Sequence, residues 1–185
     1  MKHDYNKLVL IIDSSVIIEL INLDMLDKLA MYKEITKAKM VIPKTVRDEL
    51  SCTCNNLKIT QTLRILTEKM PFEVMKPPRD KIEEIGFIYP SLGKGEKGVL
   101  ALALKFKTES SKTVIALLDD KRARNACKEL GLNFHGTLWI LVQLKKHGII
   151  GKDLAVNSIS KLPTHGFYIS EETLRKVMAR VKKDC

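Results

Sequence analysis

The chain has 185 residues, 45% of them hydrophobic, which suits one domain with an appendage and a sizeable core. No apolar run approaches the roughly 20 residues of a membrane-spanning helix, and the short apolar run after Met1-Lys2-His3-Asp4 is cut by Asp13, so no signal peptide is expected. An excess of 32 Lys+Arg over 22 Asp+Glu leaves a formal charge of +10, which points to a polyanionic partner such as nucleic acid. Cys52, Cys54, Cys127 and Cys185 match no zinc-ligand spacing and read as reduced thiols of a cytoplasmic protein.

Leu8 to Ile12 is a run of β-formers, too short for a buried helix and apolar enough for a strand covered on both faces. It ends at Asp13-Ser14-Ser15. Val16, Ile17, Leu20, Ile21 and then Leu26 and Leu29 recur at helical spacing. A break at Asn22-Leu23-Asp24 divides them, with Asp24 expected to cap the second helix. Met40-Val41-Ile42 reads as strand 2, and Thr45 to Leu50 as a helix carrying Glu49. Leu57 to Met70 has a helical stripe, and Phe72 to Met75 reads as strand 3. A short helix and loop is expected over Asp80 to Tyr89.

The Gly-rich stretch Ser91 to Gly98 leads into Val99 to Leu104, a helix apolar nearly all round and therefore buried, with Glu96 in its first turn. Lys107 to Thr113 reads as a polar turn. Val114 to Leu118 is strand 4 and ends on Asp119-Asp120. Ala123, Ala126, Cys127 and Leu130 mark an amphipathic helix stopped by Gly131. Asn133-Phe134-His135 is strand 5, and Gly136-Thr137 opens a helix to His147-Gly148. Strands alternating with helices imply a mainly parallel sheet with helices on both faces, a three-layer α/β fold. We expect residues 1–150 to form that domain and residues 151–185 a helical C-terminal extension packed on it. Its last helix starts at Ser170 and presents Leu174, Val177, Met178 and Val181 on one face.

Ligands of open α/β sheets bind outside the carboxyl ends of the strands, near the point where strand order reverses. Asp13, Glu49, Glu96 and Asp119-Asp120 all fall at strand ends or at helix starts beside that edge. Clustered carboxylates repel one another unless a cation neutralises them or some are protonated. Oxygen-only ligands favour Mg²⁺ or Mn²⁺, ions that serve phosphoryl chemistry. Surface or helix-start duty is the plain alternative for Glu49 and Glu96. Lys44, Arg47, Lys94, Lys97, Lys121, Arg122 and Arg124 lie near the same edge, and cations of this kind hold a nucleic-acid backbone without reading its sequence. The five Phe, one Trp and four Tyr form no exposed-looking series, so no aromatic stacking platform is expected.

Together these pieces resemble a PIN-domain nuclease. The resemblance covers about residues 8–150 and is carried by Ile12-Asp13-Ser14-Ser15, Val46-Arg47-Asp48-Glu49-Leu50, Gly95-Glu96, Leu118-Asp119-Asp120-Lys121-Arg122-Ala123-Arg124 and Gly136-Thr137; the tail is similar to the extension of one toxin-like prokaryotic branch. It implies a five-stranded sheet in the order 3-2-1-4-5 and a Mg²⁺/Mn²⁺-dependent endoribonuclease that leaves 5′-phosphate and 3′-hydroxyl ends. Catalytic roles pass to Asp13, Glu49, Glu96 and Asp120, and metal ligation to Asp13, Glu96, Asp120 and the adjoining Asp119. Ser14, Thr137, Lys121 and Arg124 are expected to contact substrate. Of the adjacent pair, Asp120 is expected to face the metal, while Asp119 caps the following helix or supports the site. Glu96 departs from the commoner toxin pattern, which has Asp there. The resemblance leaves room for a homodimer and for a small antitoxin partner.

The rival readings are weaker. Gly93 to Gly98 lacks the order of a phosphate-binding P-loop. A haloacid-dehalogenase-like phospho-acceptor wants an Asp where Ser15 stands, and a receiver wants a lysine that His135-Gly136-Thr137 does not offer. His135, alone at a strand end, reads as structural. A non-catalytic RNA-binding module acting with a protein partner is the strongest alternative.

Overall fold

In this computed structural model, the structure describes residues 8–52, 72–165 and 169–183. β1 (Leu8–Ile12) is followed by α1 (Ser14–Asn22), α2 (Leu26–Thr36), β2 (Lys39–Pro43) and α3 (Lys44–Cys52). After residue 71 come β3 (Glu73–Met75), α4 (Arg79–Ile88), α5 (Lys94–Glu109), β4 (Thr113–Leu117), α6 (Lys121–Glu129), β5 (Asn133–His135) and α7 (Thr137–Lys146). The chain ends with α8 (Lys152–Lys161), a 3₁₀ turn (Leu162–His165) and α9 (Glu171–Lys182).

The strands form one parallel sheet in the order β3-β2-β1-β4-β5. β1 sits at its centre because successive side chains of a strand face opposite sides, and Val9, Leu10, Ile11 and Ile12 are all fully buried. Helices therefore cover both faces. α5 lies across β1, β2 and β4, with α3 and α4 beside it, while α1, α2 and α7 contact one another. Val99 to Ala103 is buried throughout, as a helix apolar all round must be. α8 packs on α7, and α9 packs on α8 and α7, burying Ala155, Ile159, Leu162 and Val181.

Strand order reverses between β1 and β4, which lie side by side in register from Leu8–Thr113 to Ile12–Leu117. The amide of Asp13 continues the ladder to the Leu117 carbonyl at 2.9 Å, and that of Leu118 reaches the His135 carbonyl at 2.9 Å. The chain thus leaves β1 and β4 at one edge, and both exits carry aspartate.

Some boundaries differ from expectation. Asp24 does not cap α2: it takes a left-handed backbone (φ 59°) within a turn closed by Met25 N–H on the Leu20 carbonyl, and Met25 precedes the helix. α5 runs to Glu109, into the start of the expected polar turn, of which residues 110–112 remain; the Lys107 ammonium reaches the Gly131 carbonyl at 2.8 Å. The helical stripe from Leu57 to Met70 lies outside the described residues.

Candidate active site

Asp13 is the N-cap of α1 and is almost completely buried. Its Oδ2 accepts from the Ser15 amide at 3.1 Å and the Ser15 hydroxyl at 2.7 Å. The same hydroxyl accepts from the Asp119 amide at 3.4 Å, so Ser15 ties the ends of β1 and β4 together. The other oxygen of Asp13, Oδ1, is buried with no hydrogen-bond partner among the described residues. A buried carboxylate oxygen left bare is costly, and the site has to supply it with a proton or a cation. Burial pushes the Asp13 carboxyl up from its ordinary range, against the pull of its Ser15 hydrogen bonds, and the charge of Glu49 adds to the rise.

Asp119 follows Leu118 at the end of β4. Its Oδ2 accepts from the Thr137 hydroxyl at 2.6 Å and its Oδ1 from the Thr137 amide at 3.0 Å, at the first turn of α7. Gly136 makes this approach feasible, since a Cβ there would fall 2.0 Å from Asp119 Oδ1. Burial lifts the Asp119 carboxyl to about 6; the Thr137 bonds and Arg124 oppose the rise, and Asp13 adds to it.

Glu49 crosses from α3 to the start of α5, where its Oε1 accepts from the Gly95 amide at 2.6 Å. Ser14 donates its hydroxyl to the other oxygen at 3.4 Å. A Cβ at Gly95 would lie 2.2 Å from Glu49 Oε2, so only glycine admits this contact. Glu96 folds back to accept from the Gly93 amide at 2.7 Å, half of a capping box whose other half a glycine cannot supply. Its carboxyl is raised by partial burial and by the charges of Asp120 and Asp13, against the Gly93 amide and Arg122.

Asp13 is thus the hub. It feels Glu49, and both Glu96 and Asp119 feel it. The expected division between the adjacent aspartates is corrected in one respect. Asp120, not Asp119, caps α6, its Oδ1 accepting from the Arg122 and Ala123 amides at 2.8 and 3.0 Å. Side chains alternate along the extended exit from β4, and the inward one is Asp119.

The donor chemistry of this edge fits a hard divalent cation: carboxylate oxygens only, one of them buried and bare. In the side-chain positions seen, no three His, Cys, Asp or Glu among the described residues converge closely enough to hold one ion. Two of the expected ligands, Glu96 and Asp120, have their carboxylates turned onto helix N-termini.

The basic residues divide. Lys121 is exposed at the start of α6, and Arg124 stands over the Phe134 ring, 5.4 Å from its centroid. Lys44 and Arg47 are engaged with Asp48 at 2.7 and 2.8 Å. A feature that no sequence pattern displayed is the stack of His135 on Trp139, with centroids 4.7 Å apart and planes within 2°. One ring comes from β5 and the other from the first turn of α7, so no series of aromatics exists to be read. Ser15 and the glycines at 95 and 136 were visible as motif letters, and their structural duties were not.

A parallel sheet with an acidic edge at its switch point defines a three-layer α/β protein with a candidate site at that edge. A PIN-domain family model matches residues 9–183, C-terminal helices included, and the chain belongs to the PIN-domain family. Among solved structures it is similar to the PIN domain endonuclease Utp24, with 16% identity, 69% of this chain and 84% of that chain covered, and a TM-score of 0.45. No curated protein matches it. Membership in this nuclease family supports a nuclease-type function. Among the described residues no helix is long and apolar enough to cross a membrane.

Proposed function

We propose that the chain is a Mg²⁺- or Mn²⁺-dependent endoribonuclease whose ion is held by Asp13 together with Asp119, Glu96 and Asp120. The observation that carries this reading is the buried, unpartnered Oδ1 of Asp13, a carboxyl that feels the charge of Glu49 and whose own charge Glu96 and Asp119 feel. When bound, the ion supplies an activated water and offsets charge on the phosphate. The chain's own residues supply the rest. Ser15 fixes the Asp13 carboxylate in one rotamer, leaving Oδ1 available. Thr137 holds Asp119 with both of its donors. Glu49, held by the Gly95 amide and the Ser14 hydroxyl, would accept a proton from the attacking water. Lys121 and Arg124 meet the backbone phosphates. A role as a toxin held by a small antitoxin, a homodimeric state and a cytoplasmic location extend the same proposal and rest on the resemblance, together with the free Cys127 and Cys52 for the location.

The test is incubation with a mixed RNA pool in Mn²⁺, Mg²⁺ or EDTA, beside Asp13→Asn. Cleavage in metal alone, lost in the variant, is expected; metal-independent or variant-retained cleavage rejects the reading. A second reading, a non-catalytic RNA-binding module, is favoured by the capping of Glu96 and Asp120. It requires RNA binding with no cleavage under any of these conditions.

A further inference from the structure

Between β5, α7 and the C-terminal helix α9 lies a cleft of about 600 Å³. Asp119 lines it, so the cleft adjoins the carboxylate edge. Its lining includes the stacked rings of His135 and Trp139, and the cations Arg124, Lys146 and Arg180. Its volume falls within the roughly 300–1,000 Å³ typical of small-ligand sites. Aliphatic side chains such as Leu138, Val142 and Val177 share the wall with the rings and the cations, and Asp119 is the one acidic residue of the lining among the described residues.

We propose that this cleft is a subsite for an unpaired nucleotide of a single-stranded substrate, with the base against the His135–Trp139 pair and the flanking phosphates on Arg124, Lys146 and Arg180. The inference rests on the nuclease reading above and deepens it by naming the form of the substrate. The charge calls for an anion. The rings call for a planar apolar group attached to it, and continuity with Asp119 makes the occupant part of the strand whose phosphate is at the site. A duplex fails this description, because its bases are stacked on both faces by their neighbours. The C-terminal extension therefore selects substrate as well as completing the fold: Arg180 reaches the cleft from α9, more than fifty positions beyond the last acidic residue of the site, Asp120.

Trp139 is the chain's single tryptophan, so its fluorescence reports this cleft alone. The full-length Asp13→Asn protein is titrated with a short oligoadenylate, with the same sequence in duplex form, and with polyglutamate. Saturable quenching by the single strand is expected, with at least about tenfold weaker binding of the duplex and no quenching by polyglutamate, because base–aromatic stacking requires a free base face. Arg180 is exposed, and Arg180→Ala is expected to fold, to weaken oligoadenylate binding several-fold and to flatten the log K against log salt slope by about 0.7. Trp139→Leu, followed with a labelled strand, should lose about tenfold in affinity. Quenching that is absent, equal for duplex, or reproduced by polyglutamate overturns the subsite, as does an unchanged Arg180→Ala. Wild-type RNA cleavage in Mn²⁺ is scored in parallel. Cleavage without quenching removes the subsite and leaves the nuclease reading standing; quenching without cleavage keeps the subsite and removes the nuclease reading.

Discussion

Asp119 makes the acidic edge sensitive to pH in a direction opposite to ordinary acid unfolding. A free Asp side chain titrates near 3.8, and burial raises Asp119 to about 6. Between these values the native chain holds a proton that the unfolded chain has lost, so stability falls as pH rises through the window. The stabilisation is complete below about pH 4 and gone above about pH 6. At about 1.4 kcal/mol per unit it amounts to roughly 2–3 kcal/mol. Asp13 and Glu96 are raised as well and act with the same sign. In EDTA the melting temperature should therefore climb as pH drops from 7 to 5, and Asp119→Asn should flatten that climb; an identical profile in both proteins rejects the assignment. Gly95→Ala probes the opposite wall. Its Cβ would lie 2.2 Å from Glu49 Oε2 and must displace that side chain from the Gly95 amide. A loss of about 1–3 kcal/mol in urea unfolding is expected, because a buried hydrogen bond is broken without a substitute. At this scale the sequence showed which carboxylates reach the edge. It did not show which of two adjacent aspartates turns inward, because a shift of one residue along an extended exit reverses every side chain.

Elements with a single strong period were legible: the buried strands β1 and β4, the apolar α5, and α9 capped by Ser170, whose hydroxyl accepts from the Thr173 amide at 3.3 Å. Contacts between elements distant in sequence were not, since nothing local encodes them. The tie between α1 and the 3₁₀ turn is one such contact. Glu19 is buried on α1, and its Oε1 meets His165 Nδ1 at 2.7 Å across 146 residues. His165→Ala takes this partner from a buried carboxylate, which costs about 1–3 kcal/mol. Limited proteolysis should then cut the C-terminal helices faster than in the wild type, with His165→Gln restoring part of the protection. Equal cleavage rates would show that the packing of Ile159, Leu162 and Val181 alone holds the tail.

For the molecule as a whole, charge and metal act together. On the proposed function, the net charge of +10 draws a polyanion in, while the acidic edge must be neutralised before a phosphate can sit there. A ligand that binds only the native state adds RT ln(1 + [L]/Kd), about 2.7 kcal/mol at a hundredfold excess over Kd. Mn²⁺ should accordingly raise the melting temperature of the wild type, and raise that of Asp13→Asn less. An equal rise in both proteins excludes Asp13 as a ligand. The strands and the position of the acidic edge followed from hydrophobic runs and their terminal carboxylates, while the order of the sheet came from the family resemblance. The cleft beneath α9 did not, because its walls come from three separate elements and its rings from two.

The central strand is made before both of its neighbours and completed late. β1 lies between β2 and β4, and the Ser15 hydroxyl that binds the Asp119 amide is 104 residues away along the chain. At synthesis rates of about 5–20 residues per second, that separation lasts roughly 5–20 s, during which β1 lacks one neighbour. Asp119 waits longer still, for Thr137 to orient it. Throughout that interval a ribosome carries a chain whose acidic edge is unassembled, and the edge closes only after the Gly136-Thr137 turn has emerged to hold Asp119.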